Sequence, residues 1–322
     1  MYKKLRINQP VKRGSAMTSH LTKKFLATSL LVTLLCTLVS AQDNFQQELQ
    51  NVTNNPEKLG DSARLHKLFD AQWKHQMHEY PEWATYVGFP GQNHRWTDNS
   101  LAAIERRNNE LTVVQKALQS IDRAKLNNQD QVNFDLAVTN LNTGLEGLRF
   151  KNEYMALSQL GGVHQDPVQL LNDMPINNVK ECEDILARLR GYSTLVDQTI
   201  ALLEEGLKTG ITPARVTLTE VPQQILNQIA ENPAEAPILG AFKELPATVP
   251  MAEQERIRKE ANQIYLGQIV PALQRLHQFF VHRYVTGCRE EIACTSLPDG
   301  QAWYAFLCKT YTTTNMTPDE IF

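Results

Sequence analysis

Seven histidines lie beyond residue 41: His66, His75, His78, His94, His164, His277 and His282. Imidazole is the commonest metal ligand and a ready general base, so their spacing is the first test for chemistry. A zinc-peptidase site of the gluzincin type needs His-Glu-x-x-His on one unbroken helix. The nearest string is His78-Glu79-Tyr80-Pro81-Glu82. Glu82 stands where the second histidine belongs, and Pro81 ends the helix that would bring both ligands to one face. His75 and His78 are one turn apart and read as a solvated helix edge. No Gly-x-Ser-x-Gly elbow, Walker loop or Gly-x-Gly-x-x-Gly occurs. We therefore assign no catalytic residue and no metal ligand.

Other candidates read as structure. Gly161-Gly162-Val163-His164-Gln165-Asp166 lets two backbones approach closely, and reads as a turn between helices. Glu204-Glu205 and Glu290-Glu291 are acidic pairs, but adjacent side chains on a helix diverge and face water. Trp73, Trp83, Trp96 and Trp303 read as core or interface fillers rather than a ligand box.

The elements that must position these residues are helical almost throughout. Leu65, Leu68, Phe69 and Trp73 recur at helical spacing from Ser62, and Pro81 stops that helix. A second helix spans 100–121, with Ile104, Leu111, Val114, Leu118 and Ile121 on its apolar face. A third spans 128–148, with Val132, Leu136, Val138, Leu141 and Leu145. Val179 to Leu207 follows, interrupted at Gly191 or not, with Gly210 just past its end. Glu220 to Ile229 is shorter. Ala252 to Val285 is the longest, kinked at Pro271. The best strand candidate is Ala214 to Thr219. The fold class expected is all-α, with long antiparallel helices forming one lobe of a larger fold. Sites in such folds draw on residues far apart in sequence.

The N-terminus reads as an export signal. Lys23-Lys24 precede an apolar run from Phe25 to Val39, and Val39 and Ala41 give a small-residue cleavage pattern with the cut after Ala41. The run is short of the ~20 residues a spanning helix needs. The alternative is an uncleaved membrane anchor; Met17 is an equally good start. Residues 1–41 then form a signal peptide, 42–61 a loose polar lead-in and 62–322 a helical domain. Without the signal the chain holds 25 basic and 35 acidic side chains, a net charge of −10. That acidity argues against nucleic-acid partners and against membrane contact beyond the signal.

Four cysteines follow the signal. Cys288 and Cys294 are close enough in sequence to pair in an oxidising compartment, or to remain two ordinary thiols. There is no Cys-x-x-Cys. Asn51-Val52-Thr53 and Asn315-Met316-Thr317 are glycosylation sequons, meaningful only in a eukaryotic secretory route. The last six residues carry a helix start: Thr317 as N-cap, Pro318 at the first helical position and Glu320 completing a capping box. That signal predicts a chain continuing beyond Phe322.

Several strings together resemble one family. Tyr80-Pro81-Glu82-Trp83-Ala84-Thr85-Tyr86-Val87-Gly88 is similar to a P-E-x-A-T-x-x-G entry of the DUF885 proteins. Leu186-Ala187-Arg188-Leu189, then Gly206-Leu207-Lys208-Thr209-Gly210-Ile211-Thr212-Pro213, resemble its central helix and exit. Ser296-Leu297-Pro298-Asp299-Gly300, Thr312-Thr313-Thr314 and Thr317-Pro318 resemble a later block. The matches run in order from about Ser62 to Phe322. The resemblance implies an exported, helical protein, about twice this length when complete, of the zinc-metallopeptidase type. Its His-Glu-x-x-Pro-Gly-His-His motif would lie beyond Phe322, so zinc is expected only in a full-length relative, with no cofactor in this chain. Members commonly carry His where Tyr311 stands here. The function expected is that of an N-terminal lobe shaping a cleft for peptide-like substrates, inactive alone, completed by the missing C-terminal half. The alternative is a non-catalytic exported binding protein that acts through a partner or a dimer.

Overall fold

The computed structural model describes residues 44–54 and 59–322. The signal segment and its cleavage point at Ala41 lie outside the described residues. The chain is all-α: among the described residues there is no strand, only an isolated bridge between Ser158 and Gly161. None of the described helices is long and apolar enough to cross a membrane.

The helices form two hydrophobic clusters and a smaller third one. The first cluster joins α1 (44–54), α2 (Asp61–Glu79), α4 (Leu101–Gln119) and α5 (Asn128–Gly147). Here the expectation of a loose lead-in fails. Phe45, Leu49 and Val52 fall on one face at helical spacing and are buried against Leu65, Leu68 and Leu118. A stripe of three apolar residues is enough to dock a short helix, although the composition around it is polar. The apolar face expected of α5 is also partly displaced. Leu141 is buried and Val138 and Leu145 pack on the cluster, joined by Phe134 and Ala137. Val132 and Leu136 are 52% and 58% exposed, because the 3.6-residue stripe through 134, 137, 141 and 145 leaves them outside.

The second cluster is built on α7 (Val179–Thr209), which receives α6 (Asp166–Asp173), α8 (Val221–Leu226), α9 (Met251–Ile264) and α10 (Val270–Phe279). Helix α7 is unbroken at Gly191 and ends at Gly210, which adopts φ 75° as a left-handed cap. Helices α9 and α10 belong to one rod that continues to α11 (Val285–Gly287). Two π-helical turns interrupt it, at Tyr265–Ile269 and Phe280–Tyr284. The first lies just before Pro271, whose ring and missing N–H disfavour regular α geometry in the preceding turn. The expected strand is instead a 3-10 turn, Arg215–Leu218. Its Arg215 reaches across to the carbonyls of Val285, Thr286 and Cys288, so tertiary bonds override the local β pattern.

The third cluster centres on Phe150, Ile211, Leu297 and Trp303, the last on α12 (Gly300–Thr312). The capping box before α13 (Pro318–Ile321) forms as expected, with Thr317 Oγ1 accepting from the Glu320 N–H and Glu320 Oε2 accepting from the Thr317 N–H at 2.8 Å.

Gly206 marks a tight helix contact within the resemblance motifs. A Cβ there would lie 2.6 Å from the Ile211 carbonyl oxygen and 2.9 Å from that of Tyr154. Alanine in a helix gains up to ~1 kcal/mol over glycine, but overpacking against backbone costs ~1–3 kcal/mol. Gly206→Ala should therefore lower unfolding free energy in a urea titration. Gly144→Ala, whose Cβ would meet only Leu111 Cδ1 at 3.9 Å, should be neutral or stabilising.

Candidate binding cavity

Arg188 enters the core from the middle of α7, on the apolar stripe of Ile185, Leu186, Leu189 and Tyr192, and is fully buried. No carboxylate pairs with it. Its Nε donates to the Arg95 carbonyl at 2.9 Å, and Nη2 donates to Thr85 Oγ1 at 2.8 Å and the Pro81 carbonyl at 3.1 Å. The guanidinium carbon stands 5.0 Å over the Trp96 ring, and Trp96 Nε1 donates back to the Arg188 carbonyl at 2.7 Å. Burial lowers the Arg188 pKa to about 10, against the opposing pull of Glu82 and Asp184, so the group stays charged at neutral pH. Gly191 makes room for this arrangement, since a Cβ there would lie 3.0 Å from Trp96 Cδ1.

These bonds fix α3 (Pro81–Tyr86) and the loop after it. Glu82 adds a second tie, accepting from the Thr97 N–H at 3.0 Å and from Thr97 Oγ1. Gly88 and Gly91 turn the loop with φ 73° and 87°. Replacing Arg188 by Met keeps volume but leaves buried carbonyls without donors. Arg188→Met should lose about 3 kcal/mol or more of unfolding free energy, read by denaturant titration.

Between α3, α4, α7 and the double-glycine turn lies a cavity of about 930 Å³. Its rim is aromatic: Trp83 and Tyr86 stack with centroids 5.7 Å apart, and Tyr86 is 80% exposed. The Arg107 guanidinium lies 5.5 Å over the Tyr80 ring while donating to the Asp98 carbonyl at 2.8 Å. Leu157, Leu195 and Leu202 line the apolar wall. The double-glycine turn closes one side. Gly162 has φ 133°, and its N–H donates to Asp166 Oδ2 at 2.9 Å. His164 is buried behind it, with Nε2 3.1 Å from Gln224 Oε1, and burial lowers its pKa. The wall hydroxyls are committed to backbone: Ser158 Oγ accepts from the Leu160 N–H, and Thr199 Oγ1 donates to the Leu195 carbonyl. A hollow with an apolar wall, an aromatic lip and the amides of Asn99, Asn108 and Asn152 in its lining is suited to binding, and its geometry offers no activated nucleophile among the described residues.

Of the two histidines expected at a helix edge, His75 has a defined partner. His75 Nε2 is 2.8 Å from Glu110 Oε2 and its ring stacks on Phe45 at 3.8 Å, so it is part of the core edge rather than solvated. His66 Nε2 is 2.8 Å from Asp130 Oδ1. In the His78-Glu79-Tyr80-Pro81-Glu82 string, Glu82 is taken up by Thr97. Burial alone would raise the Glu79 carboxyl, but the His78 imidazole 3.7 Å away and the Arg106 guanidinium hold it at about 2. Among the described residues, no group of three His, Cys, Asp or Glu is placed to hold a metal ion.

Of the two readings for Cys288 and Cys294, the structure has two free thiols rather than a disulfide. Cys288 is buried beside Tyr284 and Thr212, and burial pushes its thiol up to about 11. Cys294 packs instead on the third cluster. The sequon residues Asn51 and Asn315 are both exposed. Trp303 is core and Trp96 a partly buried partition, but Trp73 and Trp83 are each 44% exposed, unlike fillers. No motif spacing marks Arg188 as a site residue. Its signal is an arginine in the middle of an otherwise apolar helical stripe.

A family model described as "Bacterial protein of unknown function (DUF885)" matches residues 81–322. The chain belongs to the DUF885 family. Two of the DUF885-like strings meet physically, because Pro81 and Thr85 of the first accept hydrogen bonds from Arg188 of the second. Among solved structures, the chain is similar to one described as a "putative lipoprotein" from Colwellia psychrerythraea, with a TM-score of 0.62 and 15% identity. The match covers 87% of this chain and 48% of that one, so this DUF885 chain spans about half the length of the structure it resembles. At that identity the likeness shows the fold alone. No curated protein matches the chain.

Glu79 predicts a pH dependence. Its folded pKa, about 2, lies below the ordinary value of 4.5, so its contribution to stability is present above pH 4.5 and is lost as pH falls toward 2. Unfolding free energy measured between pH 6 and 3 should fall less steeply in Glu79→Gln than in the unmodified protein.

Proposed function

We propose that this chain is the N-terminal, substrate-shaping lobe of an exported DUF885 protein, and that its large cavity admits a peptide-like segment. The observation that carries the reading is the cavity's composition: an exposed Trp83–Tyr86 lip over an apolar wall, with its hydroxyls already bonded to backbone. Such a site orients an extended apolar chain but does not activate water. The described residues do not fit a zinc ion. Glu82 is bonded to Thr97, Glu79 to Arg106, and no third ligand joins His78. No step of a metal-assisted reaction is therefore assigned to this chain. Export is supported by the basic and apolar residues 23–39 and by the description of that relative as a lipoprotein.

The alternative is a binding protein completed by a partner or a second copy. Tyr311, Met316 and Ile321 favour it, as exposed apolar side chains near one another in sequence. Titrating the purified chain with a blocked tetrapeptide carrying a central phenylalanine, while following tryptophan emission, tests the proposal. Saturable binding without hydrolysis is expected, weakened at least ~10-fold by Trp83→Ala. Hydrolysis by the chain alone, or binding indifferent to Trp83, would overturn it.

A further inference from the structure

A second cavity, of about 610 Å³, lies on the other side of Trp96 and Leu195, which line both hollows. It is the size of a small-molecule site. Its chemistry differs from the first. His78, His94 and Arg95 line it together with Gln92 and Gln198.

Arg95 is half-buried and, among the described residues, pairs with no carboxylate. Of its five N–H groups, one is used within those residues, Nη1 donating to Gln92 Oε1 at 2.9 Å. Glu79 and Glu82 act on it only from beyond ion-pair distance, and burial lowers its pKa. Most other arginines here have a carboxylate partner, as Arg106 has Glu79 and Arg215 has Glu290. Arg188, without one, uses its donors on backbone and hydroxyl oxygens instead. Arg95 therefore has donors that the described residues leave unused, an arrangement that costs stability unless something accepts them.

The histidines add to this. His78 Nδ1 is buried and makes no hydrogen bond, with Glu79 Oε1 3.7 Å away. His94 is exposed and makes no side-chain hydrogen bond among the described residues, and partial desolvation lowers its pKa. The one carboxylate on the cavity wall, Asp98, is engaged at Oδ1 by Gln198 Nε2 at 2.8 Å and by the Ser100 N–H at 2.9 Å.

We propose that this second cavity is a binding site for a small oxyanion, a carboxylate or a phosphate, held by the Arg95 guanidinium with His78 and His94 beside it. A guanidinium fork matches the paired oxygens of either group. The site is separate from the aromatic-lipped cavity and does not depend on the function proposed for it.

The test is isothermal titration of the purified chain with succinate and, separately, with inorganic phosphate at constant ionic strength. Saturable binding of one of them is expected, and which one binds identifies the class. Arg95→Met should weaken it at least ~10-fold, and Arg95→Lys, which keeps charge but loses the fork, by less. Thermal unfolding separates this role from a structural one: without ligand, Arg95→Met should unfold at the same temperature or higher, because it removes an unpaired, half-buried charge. His94→Ala provides a second variant expected to bind more weakly with its fold intact. Failure of both anions to bind, binding that Arg95→Met leaves unchanged, or an Arg95→Met protein that unfolds at markedly lower temperature would overturn the proposal.

Discussion

The buried guanidinium of Arg188 is the constraint on which the rest of this architecture depends. A charged group without a carboxylate partner survives in a core only where oxygens surround it. Here those oxygens come from Pro81, Thr85 and Arg95, residues about a hundred positions earlier in the chain. Satisfying one side chain on α7 therefore dictates the path of α3 and its following loop. That path in turn puts Trp83 and Tyr86 at the lip of one cavity, and places Trp96 between the two.

A second arginine does similar work in the N-terminal cluster. Arg64 is almost fully buried, its Nε donating to the Val52 carbonyl at 2.8 Å, Nη1 to Asp61 at 2.7 Å and Nη2 to Ser120 Oγ at 2.6 Å. It ties α1, the start of α2 and the end of α4 together. Each of the two larger clusters is thus fastened by one arginine that reads backbone and hydroxyl oxygens across long sequence distances. This is an efficient use of a rigid, multi-donor group, since one side chain meets several otherwise orphaned acceptors. Arg95 differs from both, because most of its donors find no oxygen among the described residues.

The family motifs gain a physical reading from these contacts. Thr85 is both an acceptor for Arg188 and a donor to the Pro81 carbonyl at 2.9 Å. Gly206 is required by the carbonyls of Ile211 and Tyr154, and Gly210 by the left-handed turn that ends α7. These residues support the helical frame. The aromatic lip comes from Trp83 and Tyr86, inside the first string, and the apolar wall from Leu157, Leu195 and Leu202, outside the strings.

Much of this was legible in the sequence. Helical periodicity located α2, α4, α5 and α7, Thr317 announced a cap that forms, and Pro81 and Gly210 marked real boundaries, because these are local interactions that neighbouring residues determine. The ordered strings were enough to place the chain in DUF885. What only the tertiary structure decided was which face each helix buries, as with Val132 and Leu136, whether residues 44–54 dock, and that Arg215 pulls 215–218 into a 3-10 turn. The cavities belong to the same class. Their walls join residues 78–108 to 152–202, and no local pattern encodes that meeting, because it is set by where a buried charge finds its oxygens.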